Sequence, residues 1–162
     1  MPKKKKPPAG PILVPIDFSP NSETVLRWAA EAAESYQKQL LVLHVVHDLA
    51  AAPGYYNSKK GRLRRLEEAA ADMMQDFLRG FKEKYPKLAA AKHAETMLVI
   101  GLPVNRILEV AKKLKAHHIV IGSQGRTGLP HFLLGSKAER VVQLSPIPVT
   151  IVKASPPAAS KD

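Results

Sequence analysis

Short, almost wholly apolar runs recur along the 162 residues, and longer stretches of helical spacing separate them. The runs are residues 11–17 (PILVPID), 40–46 (LLVLHVV), 95–100 (ETMLVI), 118–122 (HIVIG) and 147–152 (IPVTIV). A near-continuous apolar run of that length reads as a strand buried on both faces, the condition a parallel sheet imposes. Between the first two, Val25, Trp28, Ala29, Ala32 and Ala33 repeat at helical spacing to about Gln37. Ser19 stands there as the expected N-cap, with Pro20 at the first helical position. Farther on, Leu63, Leu66, Ala70, Met73, Met74, Phe77 and Phe81 trace one helix face that ends before Pro86, read as core packing. Pro103 opens a third helix, with Val104, Ile107, Leu108, Ala111 and Leu114 on its apolar face, and Ser136 begins a last one. Strands alternating with helices imply βαβ units with right-handed crossovers. The fold class is a doubly wound α/β domain around a parallel sheet.

The ends have a different composition. Residues 1–10 (MPKKKKPPAG) combine charge with proline and have nothing to bury, so a basic arm is expected there, and residues 154–162 (ASPPAASKD) read as a tail. The domain is expected over residues 11–153. Lys3, Lys4, Lys5 and Lys6 supply four of the net +11 charges. A basic surface concentrates polyanions, so nucleic acid is a partner to be weighed, although aromatics are only 6% of the chain and no base-stacking motif is visible. The absence of cysteine excludes disulfides and thiolate chemistry. No apolar run approaches the roughly 20 residues that span a bilayer, and no apolar segment follows the basic N-terminus as a secretory signal requires. A cytoplasmic protein without a membrane partner is the expectation.

In open α/β sheets ligands bind beyond the carboxyl ends of the strands, where strand order reverses. Four segments fall at such ends: residues 17–19, 45–48, 101–103 and 122–128. The last, Gly122-Ser123-Gln124-Gly125-Arg126-Thr127-Gly128, sets three glycines directly after a strand. Glycine lets a backbone approach a ligand closely, and successive amides in such a turn make a concavity for anions. Gly135 precedes Ser136-Lys137-Ala138-Glu139, which has the spacing of a capping box, and a helix start with free amides suits phosphate. With Arg126 and Lys137 close by, the segment can form a phosphate cradle. Glycines after strands also serve tight turns, and Ser136 would cap its helix with or without a ligand, so local chemistry leaves both readings open. There is no G-x-x-x-x-G-K-[ST] loop and no G-x-G-x-x-G after the first strand, which argues against P-loop and dinucleotide-binding designs.

The spacing G-x2-G-x9-G-[ST], carried here by Gly122, Gly125, Gly135 and Ser136, resembles the ATP-binding signature of the universal stress protein family. Residues 12–19 (ILVPIDFS), 41–46 (LVLHVV), 119–126 (IVIGSQGR) and 148–153 (PVTIVK) are similar to that family's first, second, fourth and fifth strands, so the likeness spans about residues 11–153. The resemblance implies a five-stranded sheet of order 3-2-1-4-5, of the adenine nucleotide alpha hydrolase-like kind, with nucleotide across strands one and four. It implies that Asp17 contacts the adenosine with Pro15 nearby, that Val45 reads the adenine edge through its backbone, and that Gly122 approaches the ribose. Gly125, Arg126, Gly135, Ser136 and Lys137 would surround the phosphates of ATP, or of ADP or AMP, with Mg2+ carried by the phosphates. It further implies a homodimer through the last strand, with Val149 and Ile151 on an edge open to pairing.

The function expected is a nucleotide-responsive stress or signalling module acting on an unidentified regulatory partner. No residue near the loop reads as a base that would orient water, so weak ATP hydrolysis is the most an enzymatic reading supports; a basic nucleic-acid-associating module is a third reading. His44 and His47, at i and i+3 on a strand, are expected on opposite faces with no carboxylate cluster beside them, which speaks against a protein metal site. Tyr55, Tyr56, Lys59 and Lys60 are expected in a surface loop, with a lid over the ligand as the lesser alternative. Ser19 lacks the elbow of a nucleophile.

Overall fold

The first strand sets the architecture, because it has apolar residues on both faces and therefore has to be covered twice. A computed structural model describes residues 9–47, 59–125 and 133–153, with the backbone alone at 59–62. In chain order the elements are β1 (Ile12–Pro15), α1 (Ser22–Tyr36), β2 (Leu40–Val46), α2 (Lys59–Lys84), α3 (Ala89–Lys92), β3 (Glu95–Ile100), α4 (Pro103–Lys113), β4 (His118–Gly122), α5 (Ser136–Leu144) and β5 (Val149–Val152). The strands form one parallel sheet of order β3-β2-β1-β4-β5, the order expected. β1 lies in the middle, with Leu13 between Leu41 of β2 and Ile119 of β4.

Alternation along β1 divides the core in two. Ile12 and Val14 pack with Leu26, Ala29 and Ala30 of α1 and with Met74, Leu78 and Phe81 of α2. Leu13 faces the other way, against Ile107 and Ala111 of α4 and Ala138 and Val141 of α5. Helices thus cover both faces, which is why the strands read as continuous apolar runs instead of alternating ones.

Several local expectations are corrected. Ser19 and Pro20 do not start α1. They form a turn in which the Ser22 amide bonds the Ser19 carbonyl at 2.9 Å, and the helix follows with Asn21 as its cap. Proline suits the second position of such a turn as well as it suits a helix start. Trp28 and Ala32 do not join the α1 core face; Trp28 is 51% exposed, and Leu26 and Ala30 are buried in the face instead. On α2, Leu66 and Met73 are also exposed, and Leu78 is buried. Lys59 and Lys60 belong to α2 and not to the preceding loop. The last strand is shorter than expected, since Pro148 has no amide to donate, although its carbonyl accepts the Ile119 amide at 3.0 Å. The one-turn helix α3 had no counterpart in the sequence reading. The arm at 1–8, the tail at 154–162, and Tyr55 and Tyr56 lie outside the described residues.

At the amino end of β4, His118 is buried, and its Nδ1 lies 3.1 Å from that of His117, with the Tyr36 ring against both. Burial, and then the neighbouring charge of His117, pushes His118 below its ordinary value of 6.5. A ring held neutral by the fold contributes stability above pH 6.5, and that contribution falls away as pH drops from 6.5 through the lowered folded value. Thermal unfolding between pH 8 and pH 5 is expected to show a fall in Tm below pH 6.5 that is smaller in His118→Gln. Leu13→Ala, at a fully buried position, is expected to cost about 2–5 kcal/mol. Urea unfolding with an unchanged m-value checks it, with Leu102→Ala, 59% exposed, as a control expected within about 0.5 kcal/mol of the parent.

Candidate functional site

A cavity of about 510 Å3 opens at the carboxyl end of the sheet, where the chain leaves β1 and β4 at the reversal of strand order. Its volume falls within the range of small-molecule sites, and its position is the one that open α/β sheets use.

The turn after β1 supplies one wall. Asp17 is half-buried, and its Oδ1 accepts hydrogen bonds from the Ser19 amide at 3.0 Å and the Ser22 hydroxyl at 3.2 Å. Both serines are buried, so the carboxylate is fixed by groups that cannot turn to water. Phe18 makes the turn possible with a φ of 59°, a conformation unusual for a bulky residue. Its ring is anchored against His44, centroids 4.5 Å apart, and Phe77, at 5.9 Å. His44 lies 2.9 Å by its Nδ1 from the Ile16 carbonyl. A carbonyl only accepts, so Nδ1 carries the proton in that bond.

The loop after β4 supplies the facing wall. The Ser123 amide bonds the Val152 carbonyl at 2.9 Å, which continues the pairing of β4 with β5 by one residue. The Gly135 amide then bonds the Ser123 carbonyl at 2.7 Å and brings the start of α5 back beside the end of β4. A Cβ at Gly135 would lie 3.2 Å from the same carbonyl oxygen. At Gly125 the reason for glycine is more direct: a Cβ there would lie 2.8 Å from Asp17 Oδ2. The two walls therefore approach each other closely enough to exclude a side chain.

Helix α5 begins with Gly135 as its cap and Ser136 as its first residue, and no side chain caps it. The expected capping box is not formed. The helix starts one residue too early for Ser136 to cap it, and Glu139 is already in the backbone ladder, its amide bonded to the Gly135 carbonyl at 2.9 Å. The first amides of α5 are thus left without a capping side chain at the cavity.

The candidates named from the sequence converge. Pro15, Asp17 and Val45 line the cavity from β1 and β2, and Gly122 and Gly125 line it from the loop. Gly135, Ser136 and Lys137 line it from α5, with Ser136 and Lys137 exposed. Arg126 lies outside the described residues. His44 and His47 both border the cavity, because His47 lies beyond the end of β2, where strand alternation no longer applies. Among the described residues no three His, Asp or Glu side chains are grouped to hold a metal ion. No helix among them is long and apolar enough to cross a membrane.

Two sets of lining residues went unnamed as site residues. Ser123 and Gln124 are buried between the glycines, where their place in the motif was the only available signal. Leu66, Ala69, Ala70 and Met73 line the cavity from α2. The helical spacing of Leu66, Ala70 and Met73 reads as core, and apolar spacing cannot separate a core face from a cavity wall.

The universal stress protein family model matches residues 9–153. Universal stress protein MJ0531 of Methanocaldococcus jannaschii is 32% identical over 142 residues, covering 88% of this chain and 81% of that protein. Longer mycobacterial relatives are matched over about half their length, 46% for Mb2019 of Mycobacterium bovis, at 31% identity. Universal stress protein UspA from Lactobacillus plantarum superposes with a TM-score of 0.73 at 28% identity, covering 90% of this chain and 98% of that one. The universal stress protein from Archaeoglobus fulgidus solved in complex with dAMP superposes with a TM-score of 0.59 at 26% identity, covering 89% and 98%. A family match across nearly the whole described chain, on the sheet order and strand-end cavity described above, makes this chain a member of the universal stress protein family.

Proposed function

We propose that the chain binds an adenine nucleotide, ATP foremost, in the cavity between β1 and β4 and acts as a nucleotide-responsive stress or signalling module. The observation that carries this reading is the close approach of Gly125 to Asp17, which sets an acidic side chain and a glycine-rich loop on opposite sides of one opening. A relative of the same fold is solved with dAMP, and the purine, sugar and phosphate of that ligand have natural counterparts here. Asp17, fixed by Ser19 and Ser22, would accept hydrogen bonds from ribose hydroxyls. Val45 would meet the base edge with its backbone, beside Pro15. Gly122 would let the sugar approach and Gly135 the phosphates, while the amides of Gly125 and Ser136, the Ser136 hydroxyl, the Lys137 ammonium and Arg126 would receive those phosphates. Mg2+ would be held by phosphate oxygens and water.

Among the described residues no observed contact sets a group to activate water, and ligand binding, with hydrolysis slow at most, is the reading favoured over a dedicated enzyme. Binding would act on a regulatory protein partner by favouring one of two states of the chain. We further assign a homodimer to the outer edge of β5. That edge is unpaired within the sheet, and α5 beside it exposes Val142 at 44% and Leu144 at 47%. The Val149 and Ile151 side chains are half-buried against the α4–α5 core, so the pairing would run through backbone and the exposed Thr150. A cytoplasmic location accords with this chemistry.

Calorimetric titration with ATP, ADP, AMP and a short DNA duplex at two salt concentrations tests the reading. Saturable ATP binding is expected, weakened at least roughly tenfold by Asp17→Asn and by Gly135→Val, each loss corresponding to about 1.4 kcal/mol or more. Unchanged binding in both variants overturns the site. Duplex binding that weakens steeply with salt, without ATP binding, replaces it with a nucleic-acid module.

A further inference from the structure

Helix α2 carries two apolar stripes, and only one of them serves the core. Ala70, Met74, Leu78 and Phe81 are buried against the sheet. Leu66, Ala69 and Met73, spaced by three and four residues, share a neighbouring face and line the cavity. Leu66 is 37% exposed and Met73 45%. Large apolar side chains left open to water on the wall of a cavity suit an apolar surface of a ligand. The opposite wall is the carboxyl end of β2, where Val45 and Val46 line the same cavity.

The adjacent methionines differ sharply. Met74 is 3% exposed and sealed in the core, while Met73, on the cavity wall, is 45% exposed. Met97, on β3, is half-buried against the second core cluster. A peroxide that reaches the protein from solvent therefore meets Met73 first among the described methionines.

We propose that Met73 is an oxidation site that controls ligand affinity from the α2 wall, a proposal that rests on the nucleotide reading of this cavity. A sulfur lone pair attacks the distal oxygen of hydrogen peroxide. The O–O bond breaks, an S–O bond forms, and the proton of the new S–OH group passes to the departing hydroxide, which leaves as water. The sulfur is oxidised by two electrons and the peroxide reduced by two. The product is a sulfoxide, polar where the thioether was apolar. Its neighbours along the wall, Leu66 and Ala69, have no side-chain donor to give it, so a bound base or sugar would cover an S–O group cut off from water. The reduced wall favours the ligand and the oxidised wall disfavours it, with the fold unchanged because Met73 is outside the core.

The experiment compares ATP affinity before and after brief hydrogen peroxide treatment, with the modified residue identified by peptide mass spectrometry. Oxidation at Met73 is expected to weaken ATP binding by roughly tenfold, with thermal unfolding little changed, and methionine sulfoxide reductase is expected to restore it. Met73→Leu, close in volume and inert to peroxide, is expected to show the same ATP affinity before and after the oxidant. Met73→Gln should bind weakly without oxidant. If the untreated protein does not bind ATP, the reading of the site fails and the proposal with it. If it binds ATP and Met73 sulfoxide leaves the affinity unaltered, or if Met73→Leu remains sensitive to peroxide, the proposal alone is overturned.

Discussion

The 2.7 Å hydrogen bond from the Gly135 amide to the Ser123 carbonyl closes the excursion between β4 and α5. Ser123 is itself tied to Val152 of β5, so the start of α5 is referenced to the sheet through two successive backbone bonds. Because of that closure the helix begins at the cavity instead of away from it, and its first amides face the opening made by the turn after β1. Without it, the glycines would be an ordinary turn and the helix terminus would have no fixed relation to Asp17. A Cβ at Gly135 would press on the same Ser123 carbonyl oxygen from 3.2 Å, a crowding that local spacing expresses only as one residue of a motif.

The sheet was legible because β1, β2 and β4 are each covered on both faces and so cannot alternate. Their apolar runs are unbroken, and their order follows from the resemblance that the loop spacing carries. What was illegible had a common physical origin: several side chains fit two roles equally well. Ser19 and Pro20 satisfy the chemistry of a helix start and of a turn, and Asp17 decided between them by taking the Ser19 amide and the Ser22 hydroxyl. Ser136 and Glu139 have the spacing of a capping box, but the position of Gly135 shifts the helix by one residue. Trp28 falls at core spacing on α1 and yet points outward, since small residues at 29, 30 and 33 let that helix lie close to the sheet.

The candidate site was legible as far as glycines and acids mark it. Its α2 wall was not, for a reason inherent in periodicity. Burying an apolar side chain in the core and offering it to a ligand obey the same hydrophobic preference, so both produce the same stripe. Only the three-dimensional arrangement separates Met73 from Met74, one residue and about 100° apart on the helix.

The close approach of Gly125 to Asp17 also bears on how the two walls can vary over time. A Cβ at position 125 needs the space that Asp17 Oδ2 occupies, so a larger residue there is compatible only with a shorter or displaced side chain at position 17. The two positions, more than a hundred residues apart in the chain, are sterically one site. Substitution at Gly125 therefore bears directly on where the Asp17 carboxylate can sit.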